Sequence, residues 1–408
     1  MTPVRNWRAA FGCALAVALF VGWSTILAQQ PGGSNPSRSF GPDHCGPADP
    51  AYIRTANETG GVPLFLQRSE AGKAMQLMRE STRENVSTLL WASAKLDGGT
   101  QKFEIPVDSV TQRVTFTFSV DTKGNMLLLR DANGHEIREG AERTEDTELN
   151  CGRVITVVKP QAGAWKAEVT GSGTFWLQVQ AQSDIYFISA EFVKQGGRPG
   201  HEGMFKIQGQ PLASGPTTLQ ASVSAADAKT TDFSFVSERG DVLQKLRLKA
   251  SGADRESLEF FGDVALPGVP FRLAVSGRDT KGMQYQRFYG SLFHAETVEV
   301  VPKLNFDELA PGSTREVEFE IRNLGPARSF KVIVTDSRRF ITVVGPRELA
   351  IGAHQTGSLK VEMTVPASTA SGSGDDVVVV ASSTSGPATT NSAVVRLSVT
   401  DDSKAQPH

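Results

Sequence analysis

From about Gln101 onward the sequence alternates apolar and polar residues in short runs, and this period of two is what most restricts the fold. Val114, Phe116, Phe118 and Val120 alternate with Arg113, Thr115, Thr117 and Ser119, the pattern of a strand with one face buried. Met126–Leu129 and Val154–Val158 read as further strands. Trp165, Ala167 and Val169 alternate again, as do Phe175, Leu177 and Val179. Between them lie Asp121-Thr-Lys-Gly124, Asp131-Ala-Asn-Gly134, Pro160-Gln-Ala-Gly163 and Gly171-Ser-Gly173, all turn-forming phrases.

Two more sets of strands follow the break at Gly196–Gly200. Phe205–Ile207, Leu219–Val223, Phe233–Val236, Leu243–Leu248, Phe271–Val275 and Tyr285–Tyr289 form one, with Gly277–Gly282 closing a hairpin. The other starts near Val298 and includes Val317–Ile321, Phe330–Val334, Ile341–Val344, Leu359–Val365, Val377–Ala381 and Val394–Val399. Each set is about 100 residues long, the size of one sandwich. The expected architecture is mainly β: three tandem immunoglobulin-like antiparallel β-sandwiches over 100–195, 201–296 and 297–401, then a tail, 402–408.

A short strand-helix segment, 45–99, precedes them. Thr59-Gly-Gly leads into an apolar strand, Val62–Leu66. Ser69 caps an expected helix whose Ala71, Ala74, Met75 and Met78 follow helical spacing, ending near Arg83 or as late as Leu90. No other helix is expected beyond the leader.

The first 28 residues read as a secretory signal: Arg5 and Arg8, an apolar run Ala9–Trp23, then Ser24, Thr25 and Ala28. The run is about 15 residues, short of the roughly 20 that span a bilayer. Cleavage removes Cys13 and leaves a Pro/Gly/Ser-rich linker, 29–44. The mature chain is then expected outside the cytoplasm with no membrane span: secreted or extracellular, or periplasmic or at the cell surface for a bacterial source. In an oxidising compartment the two remaining cysteines, Cys45 and Cys151, most simply pair; two buried free thiols are the alternative. A bridge would close a loop of about 106 residues and stabilise by roughly 4–5 kcal/mol.

Chemistry-bearing motifs are scarce. With 42 basic and 44 acidic residues, the net charge of −2 excludes a strongly cationic nucleic-acid binder. The six histidines lack ligand spacing, and no nucleophile elbow, His-Glu-x-x-His or P-loop occurs. No catalytic, cofactor or metal residue is assigned. Asp131, Asn133 and Glu136 place oxygens as part of a calcium loop would, but the bidentate Glu at position twelve is missing. A hairpin turn is the favoured reading, because Asn-Gly supplies the positive φ that such turns need. Asn57-Glu-Thr59 and Asn85-Val-Ser87 fit glycosylation acceptors, relevant only for a eukaryotic source. Trp165 is expected in the core. Trp176, out of phase with Phe175 and Leu177, is expected to face outward as a partner contact.

From Thr55 to about Gly290 the chain resembles the hemicentin and von Willebrand factor A domain-containing protein 7 type. The resemblance rests on Thr59-Gly-Gly-Val-Pro-Leu-Phe-Leu66, Phe103-Glu-Ile-Pro-Val-Asp108, Asp131-Ala-Asn-Gly134, Pro160-Gln-Ala-Gly-Ala-Trp165, Ser183-Asp-Ile-Tyr-Phe187 and Pro270–Gly282. It implies the last strand and helix of an A domain followed by a β-rich region. An A domain also needs an Asp-x-Ser-x-Ser metal loop, which this chain lacks, so metal-dependent adhesion is not carried over. Val298–Asp401 looks like an accessory immunoglobulin-like sandwich, on Leu309-Ala-Pro-Gly312 and Phe319-Glu-Ile-Arg-Asn323.

The expected function is non-enzymatic: adhesion, matrix or scaffold work through sandwich surfaces, with an extracellular or cell-surface protein or glycan as partner. The alternatives are a carbohydrate-binding or accessory module for a secreted enzyme, a secreted enzyme with a cryptic site, or a paralogue that lost its A domain.

Overall fold

The computed structural model describes residues 45–46, 48–73, 77, 85–196, 200, 202–215, 217–224, 229–253, 257–303 and 308–400. The expected signal, linker and tail lie outside these residues, as does most of the helix expected after Ser69. Among the described residues no helix is long and apolar enough to cross a membrane.

Helix α1 (Pro50–Thr59) is the first element among the described residues. The sequence reading missed it, although its ends are explicit. Asp49 caps the N-terminus by accepting from Ala51 N–H at 2.9 Å, Pro50 supplies a preset φ, and Gly60 takes the left-handed φ of 77° that ends the helix. What it lacks is an apolar stripe, since only Ala56 is buried. A short 3-10 turn, Arg68–Glu70, marks the start of the region where a helix was expected. Val62–Leu66 is extended but joins a ladder only at Leu64, so the expected strand is a strap.

The strands follow in chain order. They are β1 (Val86–Val107), β2 (Arg113–Val120), β3 (Met126–Arg130), β4 (Thr144–Leu149), β5 (Gly152–Val158) and β6 (Gly163–Gln182). Next come β7 (Phe187–Gly196), β8 (Gly203–Lys206), β9 (Thr217–Ser224), β10 (Asp232–Val236), β11 (Val242–Leu246), β12 (Lys249–Ala253), β13 (Ser257–Val264), β14 (Arg272–Arg278) and β15 (Gln284–Phe288). The last set is β16 (Val298–Lys303), β17 (Glu308–Leu309), β18 (Thr314–Asn323), β19 (Arg328–Asp336), β20 (Ile341–Gly345), β21 (Glu348–Ile351), β22 (Thr356–Thr364), β23 (Gly374–Ser383) and β24 (Thr390–Val399). Val86–Leu90 is thus strand, not the tail of a helix.

The chain divides into two compact units. The first takes the described residues up to Ala190 together with Ala221–Phe261 and Pro270–Leu292. Its main sheet has ten strands, with β11-β10-β14-β15-β1-β6-β2-β5-β4 as the path and β3 paired to β6. β1 and β6 pair along their whole lengths, Val86 opposite Gln182 and Val107 opposite Gly163, with an irregularity between Asp97 and Thr100. β15 pairs with β1 at Thr88 and Phe288, so strands expected in separate sandwiches share one sheet. The expected boundary between residues 195 and 201 therefore differs from the division found. Adjacent strands here come from distant parts of the sequence, which local alternation cannot report. The core includes Ile105, Phe116, Trp165, Phe175 and Leu177, with Trp165 stacked on Phe116 at 5.9 Å between ring centres.

The second unit contains the sandwich of β16–β24. Its two sheets run β16-β18-β22-β20 and β17-β24-β23-β19-β21. Inward residues of the two sheets, among them Val317, Phe319, Val361, Phe330, Val379 and Val395, make one apolar core, the immunoglobulin-like arrangement expected for this region.

Candidate interaction site

The Thr59-Gly-Gly phrase sits at the junction of α1 and the strap, where side chains from four strands hold its backbone. Trp91 Nε1 donates to Gly61 C=O at 3.0 Å and Gln178 Nε2 to Gly60 C=O at 2.5 Å. Ser119 Oγ donates to Pro63 C=O at 2.5 Å. Arg272 reaches the carbonyls of Asn57 and Gly290 and lies over the Trp91 ring, 4.1 Å from its centre. Burial lowers the Arg272 guanidinium to about 9, opposed by Glu238. The carbonyls left without partners at the helix end and in the strap are thereby satisfied. Gly60 admits no side chain, because a Cβ there would meet Gly290 O at 2.5 Å. This phrase, one of those on which the family resemblance rests, is therefore a structural latch.

Trp176 is part of the same latch, which overturns its expected outward role. It is buried, and its Nε1 donates to Asn57 Oδ1 at 3.0 Å. Phase fails because β6 is buried on both faces from Phe175 to Ala181, with Phe65 packed on the indole at 5.7 Å. The carbonyl oxygen of the Asn57 amide is thus engaged within the fold. Asn85 is exposed, with a φ of 56°. Cys45 and Cys151 are joined in a disulfide, and Cys45 N–H donates to Asp121 C=O at 2.9 Å.

The calcium-like phrase is a hairpin turn. Asp131 Oδ1 accepts from Asn133 N–H at 2.9 Å and His135 N–H at 2.8 Å. Asn133 pairs with Gln161, and Glu136 with Arg138. Among the described residues no group of three His, Cys, Asp or Glu could hold a metal ion. Asp279 repeats this turn, accepting from Lys281 and Met283 N–H, and its other oxygen takes Ser109 N–H at 2.8 Å. Burial raises the Asp279 carboxyl, but the hydrogen bonds from Ser109, Met283 and Lys281 outweigh it and hold the group below the ordinary aspartate value. A lowered native value stabilises above the ordinary range and is lost as pH falls through the native one. Asp279→Asn should therefore lower the urea midpoint at neutral pH, and the gap to wild type should close by about pH 2. A gap that persists in acid would contradict this.

The sandwich of the second unit has two unlike outer faces. On β16, β18 and β22 the outward side chains form ion pairs across strands: Arg322 with Glu299 and Glu320, Lys303 with Glu320, and Lys360 with Glu316. Hydrogen bonds from Lys303 and Arg322 lower the Glu320 carboxyl, and Glu320 in turn raises Arg322. This is a solvated face of paired charges, each worth little. On β19, β23 and β24 the outward face carries an apolar stripe. Ile333 lies opposite Val380, and Val378, two residues along, lies opposite Val394. The Asp376–Arg396 pair, 3.2 Å apart, bounds one end. Nothing in the alternation of β19 or β23 announced the stripe, because it needs the strand order as well as the period.

Residues 87–184, from the second residue of β1 to just past β6, match the family model described as hemicentin galactose-binding domain-like. Residues 299–401, the sandwich, match the VWA7 Ig-like domain. Human Hemicentin-1 is 23% identical over 270 residues, covering 64% of this chain. Mouse Hemicentin-1 is 23% identical over 263 residues, covering 62%. The chain spans about 4% of the length of these curated relatives. Among solved structures, a Bacillus licheniformis lipase in its propeptide form aligns with a TM-score of 0.24 and 12% identity over 57% of this chain and 50% of that one. An elastase-activated Escherichia coli alpha-2-macroglobulin gives 0.25 and 10% over 76% of this chain and 32% of that one. Likeness at this level carries no argument.

Proposed function

We propose, starting from the fact that this chain carries a hemicentin/VWA7-type β-rich region, that it is a secreted, non-enzymatic adhesion or matrix protein acting through its β-sandwich surfaces. The observation that carries the reading is the match to Hemicentin-1 along nearly two thirds of the chain, spread over both compact units. The treatment of charge in the first unit supports it. The charged side chains buried there among the described residues, Glu70, Asp108, Arg272 and Arg287, are bound to backbone and to one another in structural roles, not gathered at a cleft as catalysis would need. An extracellular protein is the proposed partner.

The description of residues 87–184 as galactose-binding domain-like favours a second reading, carbohydrate recognition. Sugar stacking calls for exposed aromatic faces, and Trp91, Trp165 and Trp176 are all buried. The adhesion reading is therefore preferred.

A pull-down with residues 29–408 against extracellular and surface extract, read by mass spectrometry, tests it. Reproducible recovery of a protein partner, lost when the bait is unfolded, is expected. Recovery of glycans alone would favour the second reading. No partner across several calcium and salt conditions would overturn the first.

A further inference from the structure

We propose that the edge of β19 beyond Val332 is a strand-addition site for an extended segment of a partner protein. That segment carries alternating apolar side chains and a carboxylate at the end nearest Arg347. The proposal rests on the adhesion reading and assigns it a surface.

β21 covers only the first part of β19, pairing from Arg328 opposite Ile351 to Lys331 opposite Glu348. One more bond, Val332 N–H to Arg347 C=O at 2.8 Å, ends the contact. β19 runs on to Asp336, held on its other side by β23 from Phe330 to Asp336. Backbone groups alternate direction along a strand, so Val334 points its N–H and C=O to the same side as Val332. Among the described residues no strand pairs there. A groove opens at this place, lined by Lys331, Val332, Ile333, Val334, Val344 and Arg347 among others. Its far wall is β20, which pairs only with β22 and so ends its own sheet.

Soluble proteins blunt open edges with lysine, proline or inward-pointing charge. Val332–Val334 has none of these, and Ile333 on β19 and Val343 on β20 are 52% and 55% exposed. An added strand would gain main-chain bonds at Val334 and place side chains toward Val344. On its other face it would extend the stripe of Ile333, Val380, Val378 and Val394. Charge sets the chemistry at one end. Lys331 stands opposite Glu348 on the ladder, which leaves Arg347 as an exposed cation with no ion partner among the described residues. Arg347 can take a carboxylate in bidentate fashion.

The test uses the full secreted chain and labelled hexapeptides of alternating valine and threonine, ending at either terminus in glutamate or in lysine. Binding is followed by fluorescence anisotropy and by hydrogen exchange. The glutamate peptides should saturate below about 1 mM and slow exchange at residues 332–336. The lysine peptides should bind about tenfold more weakly. Arg347→Glu should invert that preference, and Ile333→Lys should abolish binding. Both side chains are exposed, and unchanged thermal melting would show that the variants fold. No saturation, protection elsewhere, or a preference indifferent to Arg347→Glu would overturn the proposal. So would dimerisation of the chain alone through this edge, lost in Ile333→Lys, which would make a second copy the occupant. If both variants still recover the same partners in the pull-down, the edge assignment falls and the adhesion reading stands.

Discussion

Arg287→Met should destabilise the first unit by about 3–5 kcal/mol, read as a lowered urea midpoint in tryptophan fluorescence. Trp91, Trp165 and Trp176 all lie in that unit and are the only tryptophans of residues 29–408, so with that stretch the signal reports on it alone. Arg287 and Asp108 form an ion pair with no exposure of either side chain. Burial lowers the guanidinium, and Asp108 opposes that shift. Three further donors are used as well: Nε on Ile185 C=O at 2.7 Å, Nη1 on Gln286 C=O at 2.8 Å, and Nη2 on Ser183 Oγ at 2.9 Å. Asp108 Oδ1 also takes Val110 N–H at 3.1 Å. Loss of Arg287 leaves a carboxylate in the interior with no cation, and that exposed penalty dominates the cost. The double variant Asp108→Leu/Arg287→Met should recover much of the loss, because a buried pair is worth far less than the damage done by breaking it. Equal destabilisation in the single and double variants would show that the pair is not the cause.

Cys45→Ala/Cys151→Ala should cost the same unit about 4–5 kcal/mol. The disulfide joins residues 106 apart in sequence, so its removal frees a long loop in the unfolded chain. The cost has a local part too. Cys45 leads into α1 and the strap, whose carbonyls occupy Trp91, Gln178, Ser119 and Arg272. In the variant the strap should become the first site of proteolysis, ahead of the strands. Dithiothreitol should shift the wild type to the variant's midpoint. A variant as stable as wild type, or a first cut elsewhere, would refute this account.

The residues show which parts of this fold could be read in advance. β2 and the start of β6 lie where alternation placed them, because a half-buried strand writes its period locally. Trp176 was misread because the cover on its face is Asn57 and Phe65, the former 119 residues away. α1 was missed because no apolar stripe lies between Asp49-Pro50 and Gly60. The shared sheet was hidden because the pairing of Thr88 with Phe288 leaves no mark near either residue. The open edge of β19 depends on where its pairing with β21 ends, at Lys331 opposite Glu348, which no local pattern in either strand records.

The pairing of β1 with β15 also sets a timetable for synthesis. At roughly 5–20 residues per second, the 200 residues between Thr88 and Phe288 take about 10–40 s to emerge. Throughout that interval the nascent chain holds one edge of β1 bare and Asp108 without its cation. The first unit cannot close until Arg272 and Arg287 leave the exit tunnel. Whatever attends this polypeptide during synthesis must therefore tolerate, or shield, a half-finished sheet for longer than a typical small domain needs to fold.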